Sequence, residues 1–256
     1  MSDVKYPFPN ALISGFPRCG TTSLVRQLNQ SNKIDCIGTS SPEPKAVLNW
    51  SGNLEKLREF YFSQFADTSN LRIEKSTTYS ESPNSFHVWQ KINPDMKWIF
   101  VIRRPFERIV SNYNWSVRNG FEKLSLHDAL LRSIKGDELE IQPKPFDYIW
   151  RTLYGLHLTN WIRYNDYDKL LISKFENLSD SSLIEVARIR KFIGDDSIPT
   201  KVETLNHENQ SFGSMSKHDI CSEIKSKLAL IFKDDLALLS TNFPQLDLSA
   251  WEEDFV

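Results

Sequence analysis

The chain has little of what defines several protein classes. Its three cysteines, Cys19, Cys36 and Cys221, are an odd number with no metal-ligand spacing, so a disulfide framework is not expected. The formal net charge of −2 gives no global field that favours nucleic acid. No apolar run approaches the roughly 18 residues that span a bilayer, and the N-terminal segment lacks signal-peptide features. We therefore expect a cytoplasmic protein with no membrane span, no metal site and no nucleic-acid partner.

The patterns that are present predict a doubly wound α/β sheet. Short apolar runs predict four buried parallel strands: Ala11–Ser14, Leu71–Glu74, Trp98–Ile102 and Leu170–Ser173. Helical patterns occur at about Thr21–Gln30, Leu54–Phe65, Phe106–Arg118, Leu126–Ile134, Tyr148–Tyr164, Leu183–Phe192 and Ser216–Leu239. Strands that alternate with helices form parallel sheets, which bind ligands at the carboxyl ends of their strands. Without a long linker, residues 1–256 are predicted to form one domain.

A glycine-bounded loop follows the first predicted strand. Residues 11–24 read ALISGFPRCGTTSL, in which Gly15 and Gly20 border a turn that leads into a helix. Inward-facing N–H groups and the positive end of a helix together form a cradle for phosphate. The predicted contacts come from Arg18, Cys19, Gly20, Thr21, Thr22 and Ser23. Because Thr21 stands where the Walker A motif has lysine, ATP or GTP hydrolysis is disfavoured.

A second anion-binding pattern follows a later strand. Residues 97–120 read KWIFVIRRPFERIVSNYNWSVRNG, in which Arg103 leaves the strand at its carboxyl end and Pro105 starts a helix. Ser111 lies about two helical turns further on and turns back toward the same place. One arginine with one hydroxyl suits a single phosphate group.

These two segments resemble the sulfotransferases that use 3′-phosphoadenosine-5′-phosphosulfate (PAPS) and release the product PAP. GFPRCGTTSL resembles their 5′-phosphosulfate loop, P-K-x-G-T-T, with Arg18 in place of lysine, as in tyrosylprotein sulfotransferases. The 3′-phosphate pattern R-x-P-x-x-R-x-x-S-x-Y is matched by Arg103, Pro105, Arg108, Ser111 and Tyr113. The resemblance implies a single-domain, P-loop-like α/β fold with a parallel sheet of about five strands. It also implies PAPS as donor.

The resemblance further implies the catalytic residues. SSPEPKAVLNW is similar to the K-E-x-x-F-F stretch of the heparan-sulfate-type sulfotransferases, which makes Glu43 the general base. LRIEKSTTYSES is similar to the family's E-K-S/T-P-x-Y segment, with Thr77 in place of proline. Lys75 is then a second catalytic cation beside Arg18, and Glu74 is expected to be an ion-pair partner. Near the C-terminus, Lys217 is expected to contact the 3′-phosphate from a loop to which Gly213 gives flexibility.

The sequence therefore predicts a sulfotransferase that acts on a hydroxyl or amine, with a carbohydrate as the first expected acceptor. A P-loop kinase or nucleotidase, which requires Mg²⁺ and ignores the 3′-phosphate, is the enzymatic alternative. A catalytically inactive module that binds PAPS or another nucleotide is the non-enzymatic one. The choice among a sugar, a lipid, a protein tyrosine and a small metabolite is left open, as is the oligomeric state.

Overall fold

The structure, a computed structural model, describes residues 8–39, 42–48, 50, 52–65, 70–136, 146–163, 166–180, 182–199 and 214–255. Its strands are β1 (Ala11–Gly15), β2 (Ile34–Ile37), β3 (Leu71–Lys75), β4 (Lys97–Ile102) and β5 (Leu170–Lys174). Its helices are α1 (Thr21–Leu28), α2 (Leu54–Gln64), α3 (Pro83–Ile92), α4 (Pro105–Arg118), α5 (Leu126–Lys135), α6 (Tyr154–Ile162), α7 (Phe175–Asp180), α8 (Ser182–Ile193), α9 (Ser222–Asn242) and α10 (Ser249–Glu252).

The chain divides into two compact units. Unit 1 comprises Met1–Ile102 and Asn165–Asn206, and unit 2 comprises Arg103–Tyr164 and His207–Val256. All five described strands belong to unit 1, whereas unit 2 is helical. The single domain expected from the sequence stays a prediction.

The sheet of unit 1 has the strand order β2-β3-β1-β4-β5, and every pair is parallel. Every residue of β1 is buried, which is typical of a strand covered on both faces. Ile13 of β1 pairs with Lys75 of β3 and with Ile99 of β4. The expected α/β fold is confirmed, and the carboxyl ends of β1 and β3 are adjacent.

The sequence missed β2, α3 and the short helices α7 and α10. β2 is four residues long and contains the half-buried Asp35, so it lacks the apolar run by which the other strands were found. Before α3, Ser82 is the N-cap and Pro83 is at the first helical position, which together are a helix start signal.

Two predicted helices are wrong in extent. The Tyr148–Tyr164 prediction is divided by Leu153, whose φ of −76° and ψ of 75° are not helical and separate a 3-10 turn at Trp150–Thr152 from α6. The helix predicted from Ser216 begins at Ser222 instead. Ser216 and Asp219 form a capping box around a separate 3-10 turn, after which Ile220 is extended.

Unit 2 is held together by packing among α4, α5 and α9. A buried cluster includes Phe106 and Tyr113 of α4, Leu130 of α5 and Phe232 of α9. Within the described residues, no helix combines the length and the apolarity that a membrane span requires. The same residues contain no group of three or more His, Cys, Asp or Glu side chains placed to hold a metal ion.

Candidate active site

The loop after β1 is a tight turn that is closed from within. Arg18 and Gly20 have left-handed backbones, with φ of +70° and +83°. The N–H of Cys19 donates to the carbonyl of Phe16 at 3.3 Å, and its thiol contacts the carbonyl of Pro17 at 3.8 Å. Because Cys19 is fully buried, its side chain fills the turn. The predicted contact of Cys19 with a donor nucleotide stays a prediction.

The positive end of α1 follows this turn directly. Gly20 is the N-cap and no side chain caps the helix, so the first N–H groups have no partner inside it. Thr21 is buried, while Thr22 and Ser23 are half-buried. A Cβ atom on Gly20 would lie 2.5 Å from the ring of Phe175. This position therefore requires glycine for two reasons, the close ring and the positive φ. The predicted phosphate cradle thus has the expected local structure.

Lys75 brings an ammonium group to the cradle from the neighbouring strand. It is the last residue of β3, and its Nζ donates to Thr22 Oγ1 at 3.1 Å. Its side chain is 6% exposed, so the charge is held away from bulk water. The loop has Thr21 where a Walker A motif has lysine. In this fold the ammonium group of Lys75 lies beside the next residue, Thr22.

Glu43 is joined to the same group. Its Oε1 lies 3.1 Å from Lys75 Nζ. The N–H of Thr77 donates to Oε2 at 2.8 Å, and the Thr77 hydroxyl lies 3.0 Å from both carboxylate oxygens. The Glu43 side chain is 15% exposed and remains accessible from solvent. Glu43, Lys75 and Thr22 therefore form a continuous polar chain, the Glu43–Lys75–Thr22 chain, within unit 1.

Thr77 holds the Glu43 carboxylate, a contact that the sequence did not reveal. It stands where the resembling segment has proline, and a proline has no N–H to donate. In this chain the departure supplies two donors that orient the Glu43 carboxylate. The substitution was visible in the sequence, but its partner 34 residues away was not.

Glu74 is not the ion-pair partner that was expected. Its fully buried carboxylate accepts hydrogen bonds from Ser76 Oγ at 2.5 Å, from Tyr79 Oη at 2.8 Å and from Tyr61 Oη. The backbone N–H of Ala46 is a further donor. Among the described residues Glu74 forms no salt bridge, so the ion-pair prediction is wrong. Burial raises the pKa of the Glu74 carboxyl, and these hydrogen bonds oppose the rise.

Gly38 sets the distance between the strand that carries Lys75 and the segment that carries Glu43. With φ of +81°, a Cβ atom here would lie 2.4 Å from the Lys75 carbonyl oxygen and 3.0 Å from Pro44 Cδ. Gly52 has φ of +86° with no atom within 4 Å of its Cβ position. Both glycines have a positive φ, but only at Gly38 would a Cβ atom also clash with neighbouring atoms.

We predict that Gly38→Ala loses most of its turnover, whereas Gly52→Ala keeps it. Both variants bear the left-handed strain of about 1–3 kcal/mol. Only Gly38→Ala must also displace Lys75 or Pro44. Thermal unfolding and turnover of the two purified variants test this expectation. Equal turnover in both would show that the Gly38 contact is unimportant for the site.

In unit 2, the side chain of Tyr154 holds the backbone of Arg103 by two hydrogen bonds, the Tyr154 clamp. Tyr154 Oη donates to the Arg103 carbonyl at 3.0 Å and accepts from the Arg103 N–H at 3.3 Å. Tyr154 is fully buried, so the clamp is protected from water. These hydrogen bonds join segments that are 51 residues apart in the chain. The guanidinium Nε of Arg103 lies 3.9 Å from Glu107 Oε2.

Glu107 gathers the candidate 3′-phosphate ligands of unit 2. Lys217 Nζ lies 3.4 Å from Glu107 Oε1 and 2.9 Å from Asp254 Oδ1. Ser111 is one helical turn after Glu107, on the same face of α4, and no described residue hydrogen-bonds its hydroxyl. Two cations and one hydroxyl therefore surround a carboxylate. Gly213, which was expected to make this region flexible, lies outside the described residues.

The charge of Lys217 is stabilised by its neighbours. Partial burial lowers the pKa of Lys217, but the hydrogen bond and charge of Asp254, together with Glu107, outweigh it and hold the pKa above its ordinary value. Lys217 is therefore cationic at neutral pH. Its predicted contact with a 3′-phosphate stays a prediction.

Comparison with known proteins relates the chain to one family. The family model described as "Sulfotransferase domain" matches residues 8–230. Human heparan sulfate glucosamine 3-O-sulfotransferase 6 is 26% identical over 219 residues, which are 82% of this chain and 59% of that protein. The bifunctional heparan sulfate N-deacetylase/N-sulfotransferase 1 of Caenorhabditis briggsae is 28% identical over 132 residues, 50% of this chain and 14% of that protein.

The fold is similar to that of a solved sulfotransferase. The crystal structure of a sulfotransferase from Alicyclobacillus acidocaldarius superposes with a TM-score of 0.75 at 22% identity, covering 95% of this chain and 98% of that one. This likeness confirms the P-loop-like sulfotransferase fold. The chain spans about 59% of the length of the first curated relative.

Proposed function

The chain belongs to the sulfotransferase domain family, and from that premise we propose that it transfers the sulfuryl group of PAPS to an acceptor and releases PAP. The observation that carries the proposal is the Glu43–Lys75–Thr22 chain at the start of α1. It combines a carboxylate, an ammonium group and the positive end of a helix. In-line transfer of a sulfuryl group requires a base, a cation and a site for the leaving phosphate.

In the proposed reaction Glu43 is the base. The acceptor oxygen or nitrogen forms a bond to sulfur while the bond between sulfur and the bridging 5′-phosphate oxygen breaks. The acceptor's proton passes to Glu43, and PAP leaves with the electron pair of the broken bond. Lys75 and Arg18 neutralise the charge that develops on the sulfonate and the leaving phosphate. Arg18 keeps its own proton because an arginine guanidinium stays charged in proteins.

The proposal assigns the 3′-phosphate of PAPS to Arg103, Ser111 and Lys217. Arginine offers a forked pair of donors to phosphate oxygens, and a lysine and a hydroxyl add further donors. Supporting this assignment, the Tyr154 clamp fixes the Arg103 backbone and Lys217 is held in its charged form. Recognition of the 3′-phosphate would distinguish PAPS from ADP and ATP.

A saccharide hydroxyl is the acceptor that the proposal favours. The heparan sulfate relative matched over most of this chain is named as a 3-O-sulfotransferase, which acts at an oxygen. A relative matched over half of the chain is named as an N-sulfotransferase, so a saccharide amine is the second candidate.

The test is transfer of labelled sulfate from PAPS to a defined panel. The panel contains a glucosamine-containing oligosaccharide with free hydroxyls and a blocked nitrogen, the same oligosaccharide with a free amine and blocked hydroxyls, and a simple phenol. We expect label on the first oligosaccharide and release of PAP. Label on the free amine alone would move the acceptor to nitrogen, and label on the phenol alone would contradict a saccharide acceptor. Binding of PAPS without any transfer would favour the inactive module.

A further inference from the structure

We propose that Glu74 is a positioning residue that acts through Ser76 and Tyr79 to hold the segment carrying Glu43. The inference rests on the proposed function only for its catalytic consequence, since the contacts themselves are independent of the reaction. Three consecutive backbone N–H groups, from Lys45 to Val47, are bound by this group of side chains. Ser76, Tyr79 and Glu74 are called the anchoring group below.

The direction of each hydrogen bond follows from Glu74. Ser76 and Tyr79 each have one hydroxyl proton, and each gives it to Glu74 Oε1, at 2.5 and 2.8 Å. Their oxygens are then available to accept, and they do so from the N–H of Lys45 at 2.8 Å and of Val47 at 3.2 Å. Because Glu74 Oε1 accepts both protons, the two hydroxyl oxygens face the Glu43 segment as acceptors.

The protonation of Tyr79 is consistent with this direction. Burial, followed by the charge of Glu74, raises the pKa of Tyr79 well above its ordinary value. The phenol therefore keeps its proton at any working pH and donates it to Glu74. A glutamine at position 74 would present an NH₂ group as well as a carbonyl, and one of the hydroxyls would have to turn away.

The Glu43 segment is held at two places by one short stretch of chain. The anchoring group holds the backbone of residues 45–47, and Thr77, which lies between Ser76 and Tyr79, holds the Glu43 carboxylate. Pro44 lies between Glu43 and residues 45–47, and its fixed φ limits how far Glu43 can move relative to them. A displacement of about 1 Å at a reacting group can lower the rate about 100-fold, so this double attachment matters for a base.

Tyr61 provides a matched control. Its hydroxyl also donates to the buried Glu74 carboxylate, but it makes no hydrogen bond to residues 45–47. Tyr61 is as deeply buried as Tyr79, and removal of either hydroxyl takes one donor from Glu74. A purely structural network would respond to both changes alike, whereas an anchor for the Glu43 segment responds to Tyr79 alone.

The experiment compares Tyr79→Phe with Tyr61→Phe by amide hydrogen exchange, PAP titration and turnover. These variants are chosen over Glu74→Gln because the latter alters every hydrogen bond of this buried carboxyl at once and risks misfolding. For Tyr79→Phe we expect faster exchange at Val47, kcat lowered about tenfold and PAP affinity within about twofold of wild type. For Tyr61→Phe we expect a similar loss of thermal stability, with the exchange of residues 45–47 and kcat within about twofold of wild type.

Equal changes in exchange and kcat for the two variants, or none for Tyr79→Phe, would overturn the positioning role. The failure of the proposed function looks different: wild-type protein would then neither bind PAP nor transfer sulfate. In that case the exchange comparison still decides whether the segment is anchored. Faster exchange at Val47 in Tyr79→Phe than in Tyr61→Phe supports the anchor, and equal exchange refutes it.

Discussion

Replacing Glu43 with glutamine is expected to lower kcat about 1,000-fold while PAP affinity stays near that of the wild type. Glutamine keeps the size of the side chain, and a carbonyl oxygen in the place of Oε2 still accepts from both the N–H and the hydroxyl of Thr77. An amide does not accept the acceptor's proton, so the loss falls on the chemical step. Turnover at saturating PAPS and calorimetric titration with PAP measure the two quantities separately.

Glu59→Gln is the control for this experiment. Glu59 is an exposed carboxylate on α2, so its replacement changes the net charge by the same amount without touching the site. We expect wild-type turnover for this variant. Full turnover in Glu43→Gln would place the base elsewhere, and a parallel loss of PAP affinity would make the Glu43–Lys75 pair a structural contact instead of a catalytic one.

Replacing Arg103 with alanine is expected to weaken PAP binding about 10- to 100-fold, which corresponds to one lost charge-assisted contact with phosphate. ADP has no 3′-phosphate, so its affinity should change little. The paired titrations of PAP and ADP therefore isolate the 3′-phosphate from the rest of the nucleotide. Unchanged PAP affinity in Arg103→Ala would remove the 3′-phosphate assignment.

Glu107→Gln is the reciprocal variant. Its carboxylate lies 3.9 Å from Arg103 Nε and 3.4 Å from Lys217 Nζ, so it competes for the cations that the proposal assigns to the phosphate. Removing this negative charge should tighten PAP binding. For Arg103→Ala, the control is Arg118→Ala at the exposed end of α4, which removes a positive charge away from Arg103. Weaker PAP binding in Glu107→Gln would mean that the carboxylate orients the cations.

Local patterns were sufficient to predict four of the five described strands and the glycine-bounded loop after β1. β1 and β4 are mostly apolar runs. The loop between β1 and α1 ends at Gly20, whose positive φ favours glycine. β2 was missed because four residues carry too little pattern. Of the matches to the 3′-phosphate pattern, Arg108 is fully buried and donates to the carbonyl of Tyr148, so it has a structural place in unit 2.

The contacts that assemble the site were beyond reach because they join distant parts of the chain. Lys75 was predicted as a cation, but its contact with Thr22 depends on the pairing of β3 with β1. Glu74, which precedes Lys75 in the sequence, was expected to be an ion-pair partner. On a strand, successive side chains point to opposite faces, so Glu74 enters the buried hydroxyl cluster while Lys75 faces Glu43.

The most direct test of PAPS as the donor is calorimetric titration of the wild-type protein with PAP, ADP and Mg-ATP under identical conditions. The account predicts tight binding of PAP that does not depend on metal ions, with much weaker binding of ADP. Preference for Mg-ATP over PAP would contradict it and would make the loop after β1 a nucleotidase or kinase site.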